Sequence, residues 1–425
     1  MKPFTQHQRD IRRHLFELLV ALLLVALLLL IGKLAIGQSP QYEKVKSIVN
    51  NYVSDKHNDA LIVGIINGDE RHIYVYGETE KGNDTVPDPN SIFQIGTVTQ
   101  VFTTSLLAEM QQEGKIEFTD PVQMYFPEGV KIPTYEKVIC KQREGSNSPM
   151  SPNPTGYYCF VDPKFHPKQI TLCDLASNTS GLPELPSNVH AGKNAENPFA
   201  NYTDNDFYSF LNKYNSNCVT GFTYQQSMTG VALLGKALAN KMNINYEELL
   251  KENILGPLSL CNTTITLDEQ QQKLFLKGHK SNGDFTSHWN YNALAPAGGL
   301  RSDANDLLSF LNANMSGLDQ FLQGALRITH DPRLSITGDK NLVGSQTGMG
   351  WIITPVNTGN TVYQMIWCSS AQGGFASYLG MVETSKTGVV VLSNSANAVD
   401  DLGKKILELL NQQMNIPTIG TTPTD

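Results

Sequence analysis

The chain has 425 residues, a net charge of −8, and 17% charged against 40% hydrophobic residues. That balance excludes an intrinsically disordered protein, and an acidic chain without a basic stripe is a poor nucleic-acid partner. Its length exceeds the roughly 250–300 residues at which single cores tend to split, so a large domain built of two subdomains is expected.

In chain order, the first feature is an apolar stretch. Lys2, Arg9, Arg12 and Arg13 precede an unbroken apolar run from Leu18 to Ile31. Counted from Leu15 to Ile36, the stretch reaches the roughly 20 residues a helix needs to cross the hydrocarbon core. Lys33 lies near its end, where a lysine snorkels to the headgroups. The basic flank predicts a cytoplasmic N-terminus and an extracytoplasmic domain, periplasmic or extracellular, tethered to the membrane through Leu15–Ile36. A cleaved signal peptide is the competing reading, because Ala35-Ile36-Gly37 resembles a small-residue cleavage site. The domain is exported either way. The expected organisation is a cytoplasmic N-terminus and anchor at 1–37, one domain at 38–415 with a loop insertion at 133–168, and a disordered tail at 416–425.

Beyond the anchor, Tyr42 to Asp55 carries Val45, Ile48, Val49 and Val53 at helical spacing. Leu61–Ile66 and Ile73–Tyr76 are β-rich runs joined by Asn67-Gly68-Asp69-Glu70, a hairpin signal. Helical patterns follow at Val101–Glu113 and Thr229–Met242. Strand candidates return at Tyr363–Cys368, Ala376–Val382 and Gly388–Leu392, before a closing helix from about Ala398 to Met414. Strands at both ends predict one sheet built from both termini, with helices inserted between. Cys140 and Cys159 bracket a Ser/Pro/Asn/Gly-rich loop, Gly145 to Gly156, and either form a disulfide or remain two thiols. Asn83, Asn178, Asn201, Asn262 and Asn314 begin Asn-x-Ser/Thr sequons. No zinc spacing or phosphate-binding glycine loop appears, and no metal or cofactor is expected.

Several segments resemble one family in order and spacing. Ser91 to Thr103 contains Phe93-Gln94-Ile95-Gly96-Thr97-Val98-Thr99-Gln100-Val101-Phe102-Thr103, which resembles the F-x-I-G-S-x-T-K-x-F-T nucleophile segment of the serine β-lactamase and penicillin-binding protein superfamily. Ile170 to Pro183 resembles that family's I-T-L-R-D-L-L-T-H-T-S-G-L-P. Gly230 to Gly235 resembles the G-Y-x-L-L-G after its Tyr-x-Asn motif. Ala297-Gly298-Gly299-Leu300-Arg301-Ser302 with Asp306-Leu307 resembles A-G-G-L-x-S-x-x-x-D-L, and Gly374-Phe375 with Val389 to Asn394 resembles its closing strands. The resemblance implies an α/β (α+β) fold: a β-lactamase-like antiparallel sheet flanked by helices, with an inserted mainly helical subdomain.

In that family a serine at a helix start attacks an acyl carbonyl and forms an acyl-enzyme. A lysine three residues on and a tyrosine across the cleft move the proton, and two backbone N–H groups form the oxyanion hole. The side chains at these positions differ here. The serine position is Thr97 and the lysine position is Gln100, an amide with no basic lone pair. The tyrosine falls on Gln226 and the asparagine on Met228, although a two-residue slip would offer Tyr224 instead. The Lys/His-Thr-Gly motif falls on Cys368-Ser369-Ser370, and the oxyanion donors on the backbones of Thr97 and Ala371. Thr97 is expected at the start of a buried helix, with Gln100, Gln226 and Cys368 converging on it. Lys386-Thr387-Gly388 spells the motif literally but lies between two strand runs, where these residue types make a hairpin turn. His288 is the one base the sequence offers near the cleft, against the plainer reading of a solvent-exposed loop histidine.

When catalytic residues act as a unit, losing one forfeits on the order of 10⁶ in turnover. The resemblance with these substitutions therefore implies a non-catalytic relative that holds a ligand, such as a peptide or acyl group, or a partner in the former acyl-transfer cleft. The alternative is an active esterase, peptidase or β-lactamase using Thr97.

Overall fold

The computed structural model describes residues 40–56, 60–80, 82–142, 157–189, 196–316, 320–358 and 362–412. The chain divides into two units, Met1–Ser54 and Asp55–Asp425. Of the first, the described part is the start of helix α1 (Pro40–Lys56), with Lys46 bonded to Glu43 at 2.8 Å. The expected anchor at 15–36, the signal-peptide alternative and the tail at 416–425 lie outside the described residues. Among the described residues no helix is long and apolar enough to cross a membrane.

The second unit is organised around an eight-stranded antiparallel sheet drawn from both ends of the chain. Its strands are β1 (Ala60–Asn67), β2 (Glu70–Gly77), β3 (Leu334–Ser335), β4 (Gln346–Thr347), β5 (Ile352–Asn357), β6 (Val362–Gln372), β7 (Phe375–Val382) and β8 (Thr387–Ser393). They are ordered β2-β1-β8-β7-β6-β5-β4-β3. The β1–β2 hairpin forms around Gly68, and β1 then pairs with β8 with Leu61 opposite Ser393. Every residue of β7 and β8 is buried. Both faces must therefore be covered, which explains why these strands read as continuous apolar runs instead of alternating ones.

Helix α2 (Thr99–Gln112) is buried over its first twelve residues, Thr99 to Met110. Helix α3 (Met228–Met242) is capped by the Ser227 hydroxyl accepting from Gly230 N–H, and it ends at Asn243 in the left-handed conformation. Gly235 lets α3 close on the turn at 295–298, because a Cβ there would lie 2.2 Å from Pro296 Cβ. Helix α4 (Ala304–Ser316) packs on β1 and β8 through Leu308 against Gly64, and Leu311 and Met315 against Gly388. Helix α5 (Asp400–Asn411) covers β7, where Tyr378 lies against Gly403. The segment within the 133–168 insertion forms a hairpin, Val138–Gln142 with Tyr157–Val161, joined by the Cys140–Cys159 disulfide. The loop between these strands lies outside the described residues.

Glu109 is 6% exposed on α2. Burial, then the hydrogen bond and negative charge of Glu113, push its carboxyl up to about 7. An unfolded glutamate titrates near 4.3, so between that value and about 7 the folded chain holds the extra proton. Stability therefore falls as pH rises through this window and changes no further above it. Glu109→Gln is expected to match the parent near pH 4 and to exceed it by a few kcal/mol at about pH 8. Urea unfolding at the two pH values checks this, and an equal difference at both refutes it.

Candidate active-site cleft

Thr97 lies in a single 3-10 turn, Gly96–Val98, that leads directly into α2. This places it just before the α-helix and not within its first turn. The turn is held from two sides. Ile95 N–H donates to Leu300 O at 3.1 Å, and the Ser377 hydroxyl of β7 donates to Ile95 O at 2.9 Å. Gly96 has φ of +52°, and a Cβ there would fall 2.2 Å from Ser370 Oγ. Glycine is required by both conformation and space.

That proximity decides the state of Thr97. Its backbone N–H donates to Ser370 Oγ at 3.1 Å, and its hydroxyl donates to the Ser369 carbonyl at 3.0 Å. A threonine has one hydroxyl proton and one amide proton, and both are committed to β6. The group that would hold an oxyanion is occupied by the side chain standing where the family pattern has glycine. Ala371 follows on the same strand, exposed, opposite Ala376.

Gln100 is 3% exposed, and its Nε2 has no hydrogen-bond partner among the described residues. Its Oε1 receives a long 3.5 Å contact from Asn178 Nδ2. Asn178 was legible only as a motif position and a sequon. It is in fact a buried hinge of the cleft, with φ of +55°, a conformation asparagine tolerates. Its Oδ1 accepts from Ser227 N–H at 2.9 Å and its carbonyl from Gln225 N–H at 2.8 Å. Asn178 thereby ties α2 to the segment preceding α3. Burial also removes Asn178 and Asn314 as glycan acceptors, being 5% and 0% exposed.

Gln226 is exposed on that segment and, like Cys368, makes no hydrogen bond with Thr97 among the described residues. Among the described residues the hydrogen bonds of the Thr97 amide and hydroxyl run to β6 and not to Gln100, Gln226 or Cys368, the residues expected to converge on it. Met228 is buried, with Sδ 3.9 Å from Gln372 Nε2, while Gln372 Oε1 accepts from the Tyr291 hydroxyl at 3.0 Å. Cys368 pairs opposite Leu379 and Ser370 opposite Ser377, so strand alternation puts both on the Ser377 face. Burial pushes the Cys368 thiol far above its ordinary range, which leaves it neutral. Burial, and then Asp339, push the Tyr224 phenol up to about 12. Even in the slipped register, Tyr224 is a poor base near neutral pH. His288 is exposed and lies edge-on to Phe275 at 5.4 Å, not against Thr97. Lys386 is exposed with φ of +51° and ends the turn between β7 and β8, while Thr387 and Gly388, expected in that turn, are the first buried residues of β8, paired with Val382 and Met381.

A family model described as Beta-lactamase matches residues 45–412. The chain belongs to that family. It is 24% identical over 385 residues to the D-alanyl-D-alanine-carboxypeptidase/endopeptidase AmpH of Escherichia coli K12, covering 86% of this chain and 88% of the relative. It is 26% identical to beta-lactamase-like protein 2 of Dictyostelium discoideum, over 86% of this chain and 61% of the relative. Among solved structures, a beta-lactamase/D-alanine carboxypeptidase from Yersinia pestis aligns with TM-score 0.68 and 21% identity, over 86% of this chain and 97% of that one. A class C beta lactamase from Rhodobacter sphaeroides aligns with TM-score 0.67 and 19% identity, over 86% and 98%. At these identities the structural likeness establishes the β-lactamase fold, with its large antiparallel sheet and flanking helices.

Proposed function

We propose that this β-lactamase-family domain binds an acyl or peptide group in the former acyl-transfer cleft without turning it over. The observation that carries this reading is the double engagement of Thr97 by β6, through Ser370 Oγ and the Ser369 carbonyl. Among the described residues no base is hydrogen-bonded to the hydroxyl, so it stays protonated and weakly nucleophilic. The unpartnered Gln100 Nε2 supports retained binding. A buried donor left unpaired costs about 1–3 kcal/mol, which a ligand carbonyl or carboxylate oxygen would relieve. We expect no covalent adduct when the protein meets a fluorophosphonate or a β-lactam, as read by intact mass. A second reading, an acyl-transfer hydrolase using Thr97, is favoured by the similarity to a relative named as a carboxypeptidase/endopeptidase. A stoichiometric adduct that disappears in Thr97→Ala would establish it and remove the first.

The proposal includes an extracytoplasmic position, with the domain tethered through Leu15–Ile36. The full chain is expected to stay with membranes through a high-salt wash. Release of a soluble chain beginning near Gln38 would replace the anchor with a cleaved signal peptide.

A further inference from the structure

Apart from the Thr97 cleft, the second unit contains a cavity of about 1020 Å³, walled by the later turns of α3 and by residues between 265 and 301. None of Thr97, Gln100, Gln226, Met228, Cys368 or Ser370 lines it. Its size is at the upper end of the roughly 300–1,000 Å³ typical of small-molecule sites. Most of the charges in its wall are already balanced. Lys236 bonds to Asp204, and the Glu247 carboxylate accepts from Thr264, Ile265 and Thr266 and lies 3.3 Å from Lys251.

Arg301 is the exception. It is 7% exposed and stands over the Phe275 ring at 5.4 Å. Its terminal nitrogens donate to two neutral acceptors, the Ile265 carbonyl and, at 3.3 Å, Asn290 Oδ1. Its Nε has no hydrogen-bond partner; the Glu247 carboxylate acts on the guanidinium through space, but among the described residues no carboxylate is within ion-pair distance of it, and Glu247 is itself held by Thr264, Ile265, Thr266 and Lys251. A buried guanidinium without a directly bonded anion is costly, and its planar fork matches a carboxylate. The neutral contacts leave terminal N–H groups unused, since a guanidinium carries five donors.

We propose that this cavity binds a carboxylate-bearing ligand anchored by Arg301. The carboxylate completes the guanidinium's charge and hydrogen bonding, and the surrounding amides, hydroxyls and rings hold the rest of the molecule. The chemistry fits either a small free acid or the C-terminus of a peptide.

The test uses the full chain in detergent, with succinate, triglycine and triglycine amide as probes. Succinate or triglycine should raise the unfolding midpoint saturably and move one arginine ¹⁵Nε resonance, while the amide does neither. A response to succinate alone identifies a small acid, and a response to triglycine identifies a peptide terminus. Arg301→Gln should weaken binding about tenfold or more, as expected for a lost charge-assisted hydrogen bond. Ala239→Phe fills space at the cavity wall without altering Arg301 and should also weaken binding, which keeps the test decisive if Arg301→Gln fails to fold. No response to either acid, or an undiminished response in Ala239→Phe, would overturn the proposal. Neither result bears on whether Thr97 is acylated, so failure here is separable from failure of the proposed function.

Discussion

A chain carrying Thr97→Ser, Gln100→Lys, Gln226→Tyr and Ser370→Gly together is expected to acquire measurable acylation by a fluorophosphonate, whereas the same chain without Ser370→Gly is expected to acylate far more slowly. The first three changes restore nucleophile, lysine and tyrosine at the family positions. They leave the Thr97 amide donating to Ser370 Oγ at 3.1 Å, so the developing oxyanion finds its donor taken. One oxyanion donor is worth about 10²–10³ in rate, and that is the expected ratio between the two variants. Thr97→Ser alone should change nothing, because the hydroxyl is present in the parent and its proton acceptor is not. Time-resolved intact mass measures both rates. Equal acylation with and without Ser370→Gly would mean that the Ser370 hydroxyl swings aside freely, and the occlusion argument would fail.

The second large effect is on stability. Trp351 is fully buried, stacks on Phe310 at 6.4 Å, meets His330 edge-on at 5.6 Å, and donates to Thr329 Oγ1 at 3.2 Å. Gly350 beside it packs directly on Val101, Thr104 and the Gln100 backbone of α2. Trp351→Ala removes the ring, leaves a cavity, and is expected to cost about 3–5 kcal/mol. Denaturant unfolding should show a lower midpoint with an unchanged slope. Val343→Ala, at a residue 78% exposed, serves as control and should stay within about 0.5 kcal/mol. If the tryptophan variant unfolds like the control, the core around α2 is not packed as described.

The two predictions draw on parts of the molecule that were unequally legible. Strand β1 and its hairpin to β2 could be read from an apolar run, a turn at Gly68 and a second β-rich run. Helix α5 and strands β7 and β8 were equally plain, because their apolar patterns repeat within a few residues. The residues at Thr97 and Gln100 were legible against the family pattern too, since they lie three positions apart and the pattern spans both. Strand β6 was expected to end at Cys368 but runs to Gln372. The polar stretch Ser369-Ser370-Ala371-Gln372 looks like a loop until its pairing with β7 is known.

The sequence by itself determined five of the sheet's eight strands and the family resemblance. Each of these is a matter of residue type and local period. Only the tertiary structure decided what became of the nucleophile position. The Thr97 amide and the Ser370 hydroxyl are 273 positions apart, and the Thr97 hydroxyl and the Ser369 carbonyl 272. No periodicity extends over such a distance. Their meeting depends on β6 lying beside the Gly96 turn, and on a φ of +52° that turns the Thr97 amide toward that strand. Arg301 shows the same division. Its sequence neighbours mark it as part of a family motif, while its want, among the described residues, of a carboxylate at ion-pair distance becomes visible only when Phe275, Ile265 and Asn290 have folded around it.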